Sequence, residues 1–433
     1  MIKVVTDVLW SIAIIFLLGG GIYFTFNLNF PQFKLKKMLQ GFKNDQNNKI
    51  SPYQSLSMSL AARIGVGSLA GIALAIYIGG PGTIFWIWIT SIFTSVNTFC
   101  ESYLGAKYQE KDGSVYKGGP AYYIEKGLNN KKLATSYAFL IIIAYIVGFM
   151  TIQANTITKS LEDYISVSPI IIGVILALLS GYIIIKGLDQ IVSITGKMVP
   201  VMGLGYLLTA LGIILLNLES IPEVFSNILS SAFNIKSAGI GILSTFIIGV
   251  QRGIFSTEAG IGSGSIATST SHVKNKIGLG LIQILGIYFT SFIICTATAI
   301  LILLSDYTTL TFENMNGIEL TKYALNYHLG EFGNIFLILS ILSFAFSTII
   351  AGYYYGESNL KFIIRNVSQK QLLLLKIITL LLLIIGSITS PTILWSIVDI
   401  LVAVLAIINM YSLLKMRKEI IQDYKKYTNT RKQ

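Results

Sequence analysis

The sequence predicts an all-α membrane protein of about eleven transmembrane helices, eleven apolar segments of which ten form two five-helix repeats of opposite orientation. Three observations carry that prediction. The chain has 433 residues, 53% hydrophobic and 12% charged, with a mean hydropathy of +0.70. A soluble domain carries about 25% charged residues, so the excess apolar side chains must face lipid. The apolar residues fall in runs long enough to cross a ~30 Å bilayer core as helices. Two of the runs are interrupted by glycine, hydroxyl and charged residues at membrane depth.

The runs lie at about 8–28, 55–78, 82–107, 134–159, 168–186, 191–216, 239–269, 278–304, 332–356, 371–389 and 392–414. They are segments 1 to 11 below. Segment 1 is too long for a signal-peptide core and has no A-x-A cleavage site, so it reads as a retained transmembrane helix. Lysine and arginine orient the set. Lys34, Lys36, Lys37, Lys43 and Lys49 lie between segments 1 and 2, and Lys111, Lys117, Lys126, Lys131 and Lys132 between segments 3 and 4. Lys415, Arg417, Lys418, Lys425 and Lys426 follow segment 11. With eleven alternating helices these regions share one side, whereas loops 6–7 and 8–9 are rich in acidic residues such as Glu219, Glu223, Asp306 and Glu319. The expected topology is multi-pass in the plasma (inner) membrane, N-terminus outside and C-terminus cytoplasmic. The chain then divides into an extra helix and basic loop (1–54), a first repeat (55–238), a second, inverted repeat (239–414) and a basic tail (415–433).

The net charge of +12 does not indicate nucleic acid, because the basic residues sit between apolar runs and not on one soluble face. Cys100 and Cys295 lie inside apolar runs, with neither a disulfide framework nor metal-ligand spacing, and read as packing residues. His272 and His328 are placed in loops, and Tyr122 and Tyr123 at the membrane interface, where tyrosine is common. The sequence has no nucleotide-binding motif, so ATP drive is not expected.

Segment 2 reads Arg63-Ile64-Gly65-Val66-Gly67-Ser68-Leu69-Ala70-Gly71, and segment 7 reads Arg252-Gly253-Ile254-Phe255-Ser256-Thr257-Glu258-Ala259-Gly260-Ile261-Gly262-Ser263-Gly264. Each glycine weakens a helix by roughly 1 kcal/mol relative to alanine. Unwound backbone survives in a membrane only when buried in protein or lining a cavity. The bland alternative is close helix packing, and Gly67 and Gly71 do have small-xxx-small spacing. Breaks in the first helix of both runs of five (2–6 and 7–11) favour the first reading. Because five is odd, the two runs have opposite orientation, which is the plan of an inverted-repeat carrier with discontinuous helices at the midplane. A half-helix N-terminus attracts a carboxylate, and unwound carbonyls attract a cation. A zwitterionic amino acid with Na⁺ suits such a site.

Several stretches then resemble the alanine or glycine:cation symporters, the sodium:alanine symporter family. They are Ser59 to Gly67 with Ala70-Gly71, Gly79-Gly80-Pro81-Gly82 to Trp86, Glu101, Gly118-Gly119-Pro120-Ala121-Tyr122-Tyr123-Ile124, Gln153-Ala154-Asn155-Thr156, Gly249 to Ser263, and Phe344 to Ile350 with Tyr353 to Glu357. They run in order from about residue 55 to 400. The resemblance implies a leucine-transporter-type fold with five-plus-five inverted repeats, segment 1 being extra. It implies import of alanine or glycine with Na⁺ as coupling ion and no other cofactor. The sequence departs from the family at three places. Gly65-Val66-Gly67-Ser68 stands where G-T-G-N is usual, Thr257 replaces the asparagine of F-S-N-E-A-G, and the N-G and P-N patterns are absent around Leu401–Asn409.

Gly65, Val66, Gly67 and Ser68 are expected to offer backbone groups to the substrate, with Gln153, Asn155, Phe255, Ser256 and Thr257 around it. For the amides the alternative is an interhelical hydrogen bond, and for Phe255 it is core packing. The resemblance implies an Na⁺ site at Ile64, Gly67, Ser347 and Thr348. Hard oxygen ligands without a carboxylate suit a monovalent cation, and ordinary back-bonding to the i−4 carbonyl is the alternative for the hydroxyls. Arg63, Glu101, Arg252, Glu258 and Asp399 are ionisable groups inside apolar segments, which are expensive and usually paired or facing water. They are the candidate gate residues, the alternative being static structural pairs.

A membrane enzyme would need clustered histidines, cysteines or carboxylates within mutual reach, and two loop histidines with two scattered cysteines do not supply them. A channel calls for a selectivity filter or charged rings. Among carriers, a glutamine transporter and a proton-coupled transporter of the same fold stay open.

Overall fold

The computed structural model describes residues 2–43, 49–162, 164, 166–233, 241–309 and 317–430. Among them the chain is helical almost throughout, with one small antiparallel hairpin, β1 (Glu110–Asp112) and β2 (Val115–Lys117). Helix α1 (Ile2–Asn27) is followed by a short helix α2 (Leu35–Leu39). Segment 2 forms α3 (Pro52–Arg63) and α4 (Ile72–Gly79), joined by a π-helical turn at Gly67–Gly71 and bent by 54°. Its start is fixed by a capping box between Ser51 and Gln54 with Pro52 in the first turn. Its bend falls where a charged residue and two glycines replace the apolar pattern.

Segment 3 is α5 (Gly82–Lys107), and α6 (Pro120–Leu128) follows the hairpin. Segment 4 is α7 (Lys131–Ile142) and α8 (Met150–Leu161), continuous through a π-helical stretch at Ile143–Phe149. Then come α9 (Pro169–Ile185), α10 (Leu188–Leu216) and α11 (Ile221–Phe233). Segment 7 forms α12 (Ile242–Thr257) and α13 (Ser263–Thr268). Segment 8 is α14 (Lys276–Tyr288) and α15 (Thr296–Leu303) with π-helical Phe289–Cys295 between them. The rest is α16 (Ile318–Leu329), α17 (Glu331–Ile363), α18 (Gln369–Ile388), α19 (Pro391–Lys415) and α20 (Arg417–Thr430).

Among the described residues, eight helices are long and apolar enough to cross a membrane, and the bent α3–α4 pair makes a ninth. Eleven crossings therefore require that the shorter apolar helices α9 and α12 span as well. Helices α9, α10 and α18 carry wide exposed apolar faces, with Leu178, Val201 and Leu381 more than half exposed, as lipid contact demands. Helix α5 lies at the heart of the bundle, against α1, α11, α12 and α14.

Several regions expected to be loops are helical. Helix α11 buries Val224, Ile228 and Ala232 at i, i+4, i+8, one face of a short amphipathic helix. Helix α16 buries Ile318, Thr321 and Leu325 at i, i+3, i+7, so His328 sits in a helix and not in a loop. Both are too short and polar to register as spans. Tyr122 and Tyr123 are buried inside the bundle, because α6 turns its apolar face inward. Cys100 and Cys295 are free and buried, as packing residues are.

Candidate functional site

The segment 2 break meets the turn of segment 7 that leads into its own break. Segment 2 leaves helical geometry at Ile64 (φ −83°, ψ 73°), whose N–H still donates to the Leu60 carbonyl at 2.7 Å, while the Ser68 N–H turns to the Gly65 carbonyl three residues back at 3.2 Å. The Val66 N–H is met from segment 4, where it donates to Gln153 Oε1 at 3.2 Å. From segment 7, Ser256 Oγ donates to the Gly67 carbonyl at 2.8 Å. Segment 9 supplies Thr348, whose hydroxyl lies 2.9 Å from the Ala61 carbonyl and 3.4 Å from that of Ala62. Ser347 Oγ is 3.4 Å from the same Ala61 carbonyl. Gly65 permits this approach, since a Cβ there would overlap Thr348 Oγ1 and crowd the Gln153 amide.

The result is a set of hydroxyl and carbonyl oxygens at the C-terminal end of α3, with no carboxylate among them. Both hydroxyls also bond the Phe344 carbonyl, at 2.9 Å from Ser347 and 3.0 Å from Thr348. The back-bonding expected as the bland alternative is therefore present together with the convergence on Ala61 and Ala62. Those two carbonyls were not singled out in the sequence, because nothing in an alanine's identity marks its carbonyl. Ile64 and Gly67 stand one turn farther along, and the Gly67 carbonyl is already engaged by Ser256.

Phe255 and Ser256 occupy the last turn of α12, which stays helical through Thr257; the break itself is Glu258–Gly262. Glu258, Gly260 and Gly262 take positive φ values of 54°, 82° and 96°. The Phe255 ring faces Gly67, where a Cβ would come within 2.8 Å of it. It also packs on Phe149 (centroids 5.3 Å apart, stacked) and on Trp395 (4.7 Å). Phe149 and Trp395 were missed because a single aromatic in an apolar run carries no distinguishing signal.

Two expected residues turn away from this convergence. Asn155 donates to the carbonyls of Thr389 (2.7 Å) and Gly386 (3.2 Å), which ties segment 4 to the end of α18. Thr257 bonds back to the Gly253 carbonyl at 2.8 Å. Ser68 is buried beside Cys295 and Ser256.

The ionisable residues form two groups. Arg252 Nη2 and Asp399 Oδ2 make a buried ion pair of 2.6 Å, and the Arg252 guanidinium also lies 4.9 Å over Trp395. Arg252 lies one turn before Phe255 on α12, and Asp399 is on α19. Arg63, Glu101 and Glu258 make up the second group on the other side of the break. Arg63 is fully buried and makes no ion pair among the described residues; its Nη1 reaches Gln283 Oε1 at 3.4 Å. Glu258 accepts from Ser263 Oγ at 2.6 Å. Glu101 accepts from Asn409 Nδ2 at 2.8 Å, and the same amide nitrogen donates to the Gly260 carbonyl at 2.9 Å. Tyr123 bonds the Asn409 oxygen, and Tyr137 donates to the Ile261 carbonyl at 2.6 Å. The unwound backbone of segment 7 is thus held by side chains from α5, α6, α7 and α19. Gln283 was missed, although an amide in an apolar run is a signal that marks it; Asn409 was noted only for the family pattern missing around it.

The profile of the sodium:alanine symporter family matches residues 1–433. The chain is 36% identical over 437 residues to the amino-acid carrier protein AlsT of Bacillus subtilis, covering 100% of this chain and 93% of that one. It is 37% identical to the probable sodium/glutamine symporter GlnT of the same organism (100% and 91% covered). It is 32% identical to the sodium/alanine symporter AgcS of Methanococcus maripaludis (100% and 98% covered).

Proposed function

The chain belongs to the sodium:alanine symporter family, and from that premise we propose that it imports a small neutral amino acid, alanine or glycine, with Na⁺ by alternating access. Membership makes it a multi-pass sodium-coupled amino-acid symporter and not an enzyme. The finer reading takes eleven crossings in a leucine-transporter-type 5+5 inverted repeat, with the N-terminus outside and the C-terminus cytoplasmic in the plasma membrane.

The observation that carries it is the meeting of Val66, Gln153, Ser256 and Thr348 around the segment 2 break. Each partner comes from a different segment, so a ligand seated there contacts elements that move relative to one another. The N-terminal end of the second half of segment 2, at Val66 to Ser68, receives the substrate carboxylate. Gln153 and the carbonyl of Gly65 face the ammonium group, and Phe255 limits side-chain size. Na⁺ takes its oxygens from Ser347, Thr348 and the carbonyls at the end of α3, on the side of Ile64 and Gly67. Arg252 and Asp399 act as the outer gate, with Arg63, Glu101 and Glu258 forming the inner one.

The test is uptake of labelled alanine, glycine and glutamine into proteoliposomes under an imposed Na⁺ gradient or an imposed proton gradient. Na⁺-driven alanine or glycine uptake upholds the reading. Preferred glutamine uptake moves the substrate, in keeping with Ser68 where the family has a longer asparagine. Uptake driven by protons alone overturns the Na⁺ assignment.

A further inference from the structure

We infer that the protein holds one anionic phospholipid at the end of the bundle that carries the basic loop between segments 1 and 2. An apolar cavity of about 640 Å³ opens sideways there, lined by Phe33, Leu56, Leu60, Leu285, Phe289 and Ile293 among others. It lies between α3, α5 and segment 8, and Ile293 and Phe33 at its mouth are 40% and 64% exposed. A second recess of about 440 Å³ is walled by Lys36, Lys37, Gln40 and Lys43. The two are carried by one short stretch of chain. Residues 31–42 lie along α14: the Tyr288 hydroxyl donates to the Gln32 carbonyl at 3.1 Å, and Gly41 packs directly on Gly278, ten residues nearer the start of that helix. At 1.5 Å per helical residue that is about 15 Å along α14. Phe33 therefore stands at the deeper end of the stretch and the lysines at its shallower end.

That juxtaposition matches one class of molecule. The cavity is apolar and faces hydrocarbon, so it takes an acyl chain. The lysines lie where a membrane-surface phosphate sits, and Phe33, Leu35 and Leu39, all more than half exposed on the same stretch, anchor it in the interface. A soluble anion would use the lysines alone, and a neutral lipid the cavity alone. The site also bears on the broken helix. Leu56 and Leu60 belong to α3, and Gly286 on the cavity wall leaves room for the Arg63 guanidinium, whose Nη1 would be 2.9 Å from a Cβ there. A chain in the cavity packs against the half-helix that ends at the segment 2 break.

The test is lipid retention by the purified full chain in detergent, read by native mass spectrometry with dioleoylphosphatidylglycerol, dioleoylphosphatidylcholine and glycerol 3-phosphate. Retention of one phosphatidylglycerol in preference to phosphatidylcholine is expected. Replacing Lys36, Lys37 and Lys43 by glutamine lowers that retention about a hundredfold, at about fivefold per lysine, and arginine at the same positions restores it. Ile293→Trp, at an exposed position, fills the mouth and lowers retention of both lipids. Equal retention of the two lipids by the wild type, or retention unchanged by both sets of variants, overturns the proposal. So does displacement of the phospholipid by equimolar glycerol 3-phosphate, which would make the recess a site for a free anion. The readout does not involve transport, so it fails or succeeds independently of the substrate assignment.

Discussion

Ser256 and Gly67 are 189 residues apart in the chain and 2.8 Å apart in space, with the serine hydroxyl donating to the glycine carbonyl. This bond joins the last turn of α12 to the start of the second half of segment 2. It satisfies a carbonyl at a point where helical bonding is disturbed, and both residues are fully buried. A buried carbonyl left without its partner costs about 1–3 kcal/mol.

Ser256→Ala should therefore lower transport more than it lowers stability. The expected result is a rise in the apparent KM for alanine of about tenfold, from about 1.4 kcal/mol of lost positioning, with a melting temperature only slightly reduced. Equilibrium substrate binding and thermal unfolding on the same sample check this. An unchanged KM would place the bond outside the binding step.

Of the residues proposed to hold Na⁺, Thr348 makes the closest approach to the carbonyls at the end of α3. Its hydroxyl touches the Ala61 carbonyl and is pressed against Gly65. Thr348→Ala should raise the Na⁺ concentration for half-maximal uptake by about tenfold or more, as expected for a lost hydrogen-bonding oxygen next to a charge, while Thr348→Ser keeps it near wild type. Gly65→Ala, which drives a methyl into the same hydroxyl, should mimic Thr348→Ala. Na⁺ titration of uptake separates these outcomes, and equal Na⁺ dependence in all three variants would remove the cation from this place.

The parts of this arrangement legible in the sequence are those that breaks and charges announce. Gly65, Gly67, Arg63 and Glu258 are anomalies in apolar runs, so the interruption of segments 2 and 7 was readable before any fold was known. The exact end of α12 was not, because Phe255 and Ser256 are tolerable in a helix and only the positive φ at Glu258 stops it. Asn155 and Gln153 look alike as amides two residues apart. They point to different neighbours because successive helical residues are rotated by about 100°, and only packing tells which neighbour is a broken helix and which is the end of α18. Helices α11 and α16 were hidden because their apolar faces are one-sided and short.

Arg252 and Asp399 are buried together, so removing one partner strands the other, at a cost of about 3–5 kcal/mol. Asp399→Asn and Arg252→Gln should each lose most uptake. If the pair opens and closes during transport, the exchange Arg252→Asp with Asp399→Arg restores part of it. If the exchanged protein regains stability but not uptake, the pair is a static strut. If it regains neither, the orientation of Arg252 over Trp395 is what matters.

The C-terminal helix α20 is docked by charge. Asp423 accepts from the Lys107 ammonium and the Tyr103 hydroxyl, both at 2.6 Å, while Glu419 pairs with Lys107 at 2.5 Å. Burial by itself would lift the Asp423 carboxyl. The hydrogen bonds from Lys107 and Tyr103 outweigh it and hold the group below its ordinary 3.8. The sign follows from that depression. The folded state holds the ionised carboxylate more tightly than the unfolded chain does, so its contribution is complete above pH 3.8 and is lost as the pH falls through the lower folded value. Protection of residues 417–430 from hydrogen exchange, corrected for the intrinsic rate, should stay level from pH 7 to about pH 4 and fall below it. Asp423→Asn should reduce that protection already at pH 7 and remove this part of the acid dependence. Protection in the variant equal to wild type at pH 7 would mean that the buried face of α20, Ile420 and Tyr424, docks the helix without the charge.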